Sequence, residues 1–181
     1  SIVGLEGGEG KAAPIAQLIR FNGTDLEGKS TQILRTAKVL GKAGLRLGGK
    51  DIDRWIAHHL LPDVNKTNLI LNVAEQLKCE LSKMDLKETM IISKKVVTEK
   101  KEEKFLKLSK KGLEDLLIDN GLLDSIENLF NQTINIAKRN SFKLEDLDNV
   151  VLVGGGSQIP LVKKFIKNLC NSITFITPPP V

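Results

Sequence analysis

The sequence predicts an α/β fold carrying an inserted α+β lobe, and three observations lead there. The opening third holds short apolar segments broken by glycines. The middle and the C-terminal part switch to apolar residues at three- and four-residue steps. Between two such helical stretches, Val150–Val153 is an unbroken apolar run, the pattern of a strand buried on both faces.

Taken in order, Ser1–Leu5 and Pro14–Phe21 read as strands separated by Gly7-Gly8-Glu9-Gly10, and Leu34–Gly44 adds a third. Ile52, Trp55, Ile56 and Leu60 then mark a helix that ends before Pro62. A second helix covers about Lys66–Ser82, with Leu69, Val73, Leu77 and Leu81 on its inner face and Ile70 and Ala74 beside them. Strands near Glu88–Ser93 and Val96–Leu108 follow, then a short helix at Leu113–Ile118. Leu122, Ile126, Leu129, Phe130, Thr133 and Ala137 define a long helix to about Lys138. After Val150–Val153 and Gly154-Gly155-Gly156, Ser157 is the expected N-cap of a helix carrying Leu161, Val162, Phe165, Ile166 and Leu169. Ile173–Ile176 begins a last strand, stopped by Pro178-Pro179-Pro180.

Composition narrows the classes. A chain of 181 residues buries roughly 70% of its unfolded surface, enough for one core or two small ones. The net charge of +5 is local: between Lys94 and Lys111 stand eight Lys and three Glu, and eight minus three is +5, so the remainder is neutral. Phe105 is the one aromatic in that run, which reads as a solvated hairpin surface rather than a nucleic-acid interface. No apolar run approaches the ~20 residues of a membrane span, and no signal-like segment opens the chain, so a cytoplasmic product is expected. Cys79 and Cys170 form no CxxC pair, which excludes a zinc ribbon and leaves two thiols expected to be buried.

Among the motifs, Val150–Pro160 carries the most chemistry. A buried strand delivers the chain to a turn without Cβ atoms, so a ligand can approach the backbone, and Pro160 suits a first helical turn. The alternative is a tight strand-to-helix connection with no ligand. Two Walker-like segments fail. Gly44–Lys50 has the GxxxxGK spacing, but Asp51 stands where Ser or Thr must reach magnesium, and no clear buried strand precedes it. Gly10-Lys11 has Leu5 at the first glycine position. Gly48-Gly49 still reads as a close-approach site. His58 and His59 point about 100° apart on a helix and share no metal. Asp51 and Asp53 sit in the first turns of a helix from Gly49, where the macrodipole favours carboxylates.

Four segments occur together in the order and approximate spacing of the seventy-kilodalton heat-shock (DnaK) chaperone family, which the chain resembles. They are Leu47-Gly48-Gly49-Lys50-Asp51-Ile52-Asp53, Ala74–Ser82, Leu113-Glu114-Asp115-Leu116 and Val150–Pro160. The family forms are roughly LGGEDFD, a CERAKRxLS-like helix, FEEL and VLVGGSTRIP. The resemblance implies the second lobe of the actin-like ATPase (ribonuclease H-like) fold. Residues 1–47 would be strands of the core lobe, 48–112 the inserted lobe, and 113–181 the return to the core. It implies ATP or ADP as ligand, with magnesium held elsewhere in the parent protein. By motif, Gly49, Glu75, Lys78, Ser82, Gly154, Gly155, Gln158 and Ile159 face the nucleotide: Glu75 and Lys78 toward the ribose, Ser82 toward the adenine.

The departures qualify that expectation. Family arginines that flatten against the adenine would lie at Cys79 and Gln158, and Lys50 replaces an acidic residue. Weaker or altered nucleotide affinity is expected, or at the extreme a degenerate relative kept for protein contacts. The first-lobe phosphate loop, the DLGGGTxD-like loop, the AVAxGAA-like helix and the peptide-binding β-sandwich of the family are not among these residues. The expected partners are therefore the first lobe of the same parent chain and, at the Lys-rich run 94–111, a nucleotide-exchange factor or another acidic protein. Without the missing loops, this segment alone is not expected to hydrolyse ATP.

Overall fold

Burial of Val150 and Leu152 within the Val150–Val153 run organises the molecule. In the computed structural model, which describes residues 2–7, 15–22, 36–170 and 174–176, this run lies in β6 (Asn149–Gly154), in the interior of a five-stranded sheet. The other strands are β1 (Ile2–Gly7), β2 (Ile15–Asn22), β3 (Thr36–Gly44) and β7 (Thr174–Ile176), in the order β3-β2-β1-β6-β7. The first three form an antiparallel meander, whereas β6 runs parallel to β1 and β7 parallel to β6. Parallel neighbours need crossovers. Residues 8–148 supply one, and α5 (Pro160–Leu169) lies in the other. Val150 and Leu152 are fully buried.

Four helices and a hairpin fill the long crossover. Helix α1 (Gly49–Leu60) starts where Asp51 Oδ2 accepts from Gly48 N–H at 2.8 Å, and its C-cap is Leu61, before Pro62 as expected. It buries Ile52, Ile56 and Ala57 against α2 (Asn68–Leu81), which Thr67 caps by accepting from Ile70 N–H. The buried stripe of α2 is Ile70, Ala74, Leu77 and Leu81, rotated from the expected face: Leu69 is 54% exposed. Two stripes, 69-73 and 70-74, share Leu77 and Leu81 as continuations, so spacing alone did not separate them.

The hairpin corrects two boundaries. Its strands are β4 (Ile91–Val97) and β5 (Glu103–Ser109), not 88–93 and 96–108. The turn is Thr98–Glu102, closed by Thr98 N–H to Glu102 O and Lys101 N–H to Thr98 O, both 2.9 Å. Lys101 takes φ 61°, a left-handed conformation that sequence reading expects of Gly or Asn. Ser109 then caps α3 (Lys110–Asp119), accepting from Gly112 N–H at 3.0 Å, so this helix starts earlier than Leu113. Gly121, at φ 71°, turns the chain into α4 (Leu122–Lys138).

Helix α4 packs back on β3, and one glycine makes that possible. A Cβ on Gly41 would lie 2.4 Å from the Thr133 carbonyl oxygen and 3.0 Å from Ala137 N. Asn140, just beyond the helix, donates from Nδ2 to Leu40 O at 2.7 Å and fixes the register. One contiguous core runs from Leu40 through α1–α4 to β6 and α5. Among the described residues, no helix is long and apolar enough to cross a membrane.

One further expectation is corrected. Ser157 does not cap α5: Gly155–Gln158 first winds as a 3₁₀ turn, so Ile159 becomes the N-cap and Pro160 the first helical residue. The strand before the Gly44–Lys50 segment, β3, ends at Gly44 at the edge of the sheet with most of its described side chains not buried, in keeping with the reading that no buried strand precedes it. The Gly10-Lys11 segment and Pro178–Pro180 lie outside the described residues.

Gly41→Ala is expected to lower stability by about 1–3 kcal/mol, the usual cost of overpacking, because backbone atoms of α4 oppose the new methyl. Urea denaturation followed by circular dichroism measures this; an unchanged midpoint would contradict the close β3–α4 approach.

Candidate functional site

Four of the eight candidate residues gather where α1 begins against α2. Asp53 sits on the apolar stripe of α1 beside Ile52 and Ile56, so folding carries its carboxylate inward. The cost of burying that charge requires a partner. Lys78 provides it, with Nζ 2.7 Å from Asp53 Oδ1, the two side chains being 12% and 6% exposed. The same ammonium donates to the Gly49 carbonyl at 3.2 Å, tying the first residue of α1 to the third turn of α2. Burial pushes the Asp53 carboxyl above its ordinary 3.8, and Lys78 draws it partly back; Glu75 and Lys50 act more weakly, in opposite senses.

Glu75, Lys78, Cys79 and Ser82 follow the i, i+3, i+4, i+7 spacing of one face of α2. Glu75 is exposed, an acceptor open to solvent. Ser82 donates its hydroxyl proton to Lys78 O at 2.8 Å, which leaves its oxygen able to accept. Cys79 is exposed, against the expectation of a buried thiol, because it lies opposite the Ile70-Ala74-Leu77-Leu81 stripe. Cys170 is buried, and burial raises its thiol to about 11.

The other four residues stand at the carboxyl end of β6. Gly154 closes the ladder opposite Gly7 of β1. Gly155 is exposed, and a Cβ at Gly155 or Gly156 would meet nothing within 4 Å. Neither glycine has a positive φ. Their lack of side chains thus answers no backbone or packing demand of the described residues, unlike Gly41 and Gly121. It leaves a backbone that an outside molecule can approach closely. Gln158 is half-buried, its Oε1 accepting from Lys163 Nζ at 3.0 Å. Ile159 is 2% exposed, so its side chain belongs to the core and only its backbone is available to a ligand.

The two groups occupy separate elements. Helix α2 packs on α1, α3 and the hairpin, while the 3₁₀ turn packs on β1, β6 and α5. Sequence reading missed both internal contacts, Asp53–Lys78 and Gln158–Lys163. A carboxylate within the apolar stripe was a usable signal for the first; nothing in the spacing pointed to the second.

The Lys-rich run is largely ion-paired on the hairpin and its neighbours. Lys94 meets Glu80 and Lys95 meets Glu103 at 2.5 Å, Lys104 meets Glu102 at 3.4 Å, and Lys111 meets Asp115 at 2.9 Å. Lys107 lies over the Phe105 ring, and Lys100 and Lys101 are exposed at the turn. Among the described residues, no group of three His, Cys, Asp or Glu is placed to hold a metal ion.

Comparison with known proteins gives a consistent answer. The family model described as Hsp70 protein matches residues 36–174, a span containing all eight candidates. A chaperone protein dnaK1 of Prochlorococcus marinus is 32% identical over 142 residues, covering 68% of this chain and 20% of the relative. The stromal 70 kDa heat shock-related protein of Pisum sativum chloroplasts is 30% identical over 147 residues, with 73% and 20% covered. A heat shock cognate HSP70 protein of Trypanosoma brucei brucei is 29% identical over 147 residues, with 70% and 20% covered. The chain thus spans about a fifth of the length of the curated relatives it matches.

Asp53→Ala leaves the Lys78 ammonium buried without its carboxylate and is expected to cost about 3–5 kcal/mol, whereas Asp53→Ala with Lys78→Met removes both charges and recovers most of it. Urea unfolding of the two variants tests this, and a double variant as unstable as the single would refute it. With the native carboxyl above its unfolded value, the folded state holds more protons as pH rises past 3.8. Measured against Asp53→Asn, the wild type should therefore lose stability as pH climbs from 3.8 through the raised native value; a difference that grows with pH would reverse the sign.

Proposed function

The chain belongs to the Hsp70 family, and from that premise we propose that it is the nucleotide-facing second lobe of a DnaK-type chaperone ATPase of actin-like fold. In the parent protein it binds ATP or ADP between this lobe and the first, with magnesium held by residues outside the present sequence. The observation that carries the reading is the open backbone at Gly155 and Gly156, at the carboxyl end of a buried parallel strand, where α/β sheets receive nucleotides.

The residues fit such a ligand. Glu75 can accept from ribose hydroxyls, and the Lys78 ammonium, with three protons, keeps one beyond its bonds to Asp53 and Gly49. Ser82 offers an acceptor and Gln158 an amide to the base. The bound nucleotide would supply the phosphoanhydride whose cleavage changes lobe closure and partner affinity. These residues contribute binding and orientation. Hydrolysis needs the phosphate loops and magnesium ligands that the family carries elsewhere.

A second reading has one observation in its favour. Neither Cys79 nor Gln158 stacks on a base as a guanidinium does, which suits a degenerate lobe retained for protein contacts. In either reading the hairpin, with Lys100 and Lys101 exposed, is the proposed docking surface for an acidic partner such as an exchange factor.

Titration calorimetry of the native full-length protein with ADP and ATP decides between them. Binding is expected, weaker than in a relative carrying both arginines measured alongside. Gly155→Ala, whose Cβ would meet nothing within 4 Å among the described residues, is expected to weaken it severalfold at unchanged melting temperature. Wild-type protein that binds neither nucleotide would establish the degenerate reading. The 181 residues alone, given ATP and magnesium, are expected to release no phosphate above a blank.

A further inference from the structure

We propose that Lys163 is a positioning residue that fixes Gln158 as a hydrogen-bond donor at the glycine turn, so that the turn reads an acceptor atom on a nucleoside. The proposal rests on the nucleotide reading above and adds a specificity element to it.

The argument begins with the amide. A glutamine offers a carbonyl oxygen at one end and an NH2 group at the other, and free in solvent it presents either. Here one end lies 3.0 Å from the Lys163 ammonium. An ammonium has three donors and no acceptor, so only the oxygen can face it, and the amide orientation is dictated by chemistry. The NH2 group is then the end turned away from Lys163, with no hydrogen-bond partner among the described residues. The Lys163 backbone N–H donates to Ile159 O at 3.1 Å, so its backbone is set by the first turn of α5.

The turn sets where that end stands. Gly155–Gln158 is 3₁₀-helical, and in that geometry positions i and i+3 eclipse. Gln158 therefore shares a side with Gly155, the exposed position where a Cβ would meet nothing within 4 Å. A donor-only amide beside an open backbone selects a ligand that brings an acceptor there. A purine ring nitrogen or a ribose oxygen qualifies, and a group that only donates does not.

Adenosine is the probe, because it is uncharged and adds no phosphate repulsion when a carboxylate is introduced. Titration calorimetry on the full-length protein compares wild type with Gln158→Glu, Lys163→Met and Lys163→Arg, with ADP titrated in parallel. Gln158→Glu keeps and strengthens the pairing to Lys163 but removes both donors; adenosine should bind about 5- to 10-fold more weakly, the worth of one hydrogen bond. Lys163→Met frees the amide to turn and should weaken binding about 2- to 5-fold. Lys163→Arg, also a pure donor, should restore it to within about twofold. Gln158→Met, which lacks both amide ends, serves as the second variant should the carboxylate disturb the turn, with the same loss expected. Wild-type affinity in Gln158→Glu and Gln158→Met would overturn the donor role. Lys163→Arg as weak as Lys163→Met would overturn the positioning role. A wild type that binds neither adenosine nor ADP would instead remove the nucleotide reading, and this proposal with it.

Discussion

The rest of the structure depends on β6 lying inside the sheet. Val150 and Leu152 have no exposed surface to speak of on one face, Val151 is half-buried on the other, and the strand is flanked on both edges. Its neighbours are β1, from the other end of the chain, and β7, just beyond α5. Because both pairings are parallel, neither can be closed by a hairpin. The α1–α2–hairpin–α3–α4 excursion is the consequence: it is the long connection that a parallel β1–β6 pair demands. The same constraint opens the glycine turn, since a buried parallel strand must discharge its chain at one end of the sheet before a helix can return it.

Within that frame, glycines and charges divide into those the fold needs and those it does not. Gly41 is needed, because β3 and α4 touch backbone to backbone; Gly121 is needed for its positive φ. Gly155 and Gly156 satisfy neither demand. Asp53 and Lys78 show the complementary case, a site residue that is also structural. Their pair joins two helices, so the Lys78 ammonium is already oriented by Asp53 and Gly49 for the ligand proposed above. Preorganisation of that kind limits the entropy lost on binding, at the cost of holding a charge pair away from water.

Most elements were legible because their signals are local. The Ile52-to-Leu60 and Leu122-to-Ala137 spacings declare helices, and an unbroken Val-Val-Leu-Val declares a strand inside the sheet. What failed depended on geometry that residue type does not announce. Lys101 adopts a left-handed turn usually left to glycine, which moved the hairpin boundary. A 3₁₀ turn, invisible to helical spacing, displaced the cap from Ser157 to Ile159. Leu69 and Ile70 offered equivalent stripes, and the packing of α1, α3 and the hairpin on α2 selects between them, which also decides that Cys79 faces solvent. The site divides likewise. Motif order placed eight residues in two groups, but the contacts of Lys78 with Asp53 and of Gln158 with Lys163 come only from the folded structure. Of these, only the misplaced carboxylate of Asp53 left a trace in the pattern.

The two positions where family arginines are absent are therefore not equivalent losses. At Cys79 the guanidinium is replaced by a small, exposed side chain on a helix face whose nearest cation, Lys78, already serves Asp53. Stacking area is lost there and no charge is free to take its place. At Gln158 a planar amide remains, and a cation one helical turn further on holds it by its oxygen. Planarity and donors survive at that position while the formal charge shifts to Lys163. An oriented amide beside an open glycine suits the proposed nucleoside site in a way that the exposed thiol does not, which is why the turn at the end of β6 weighs more than the loss at Cys79.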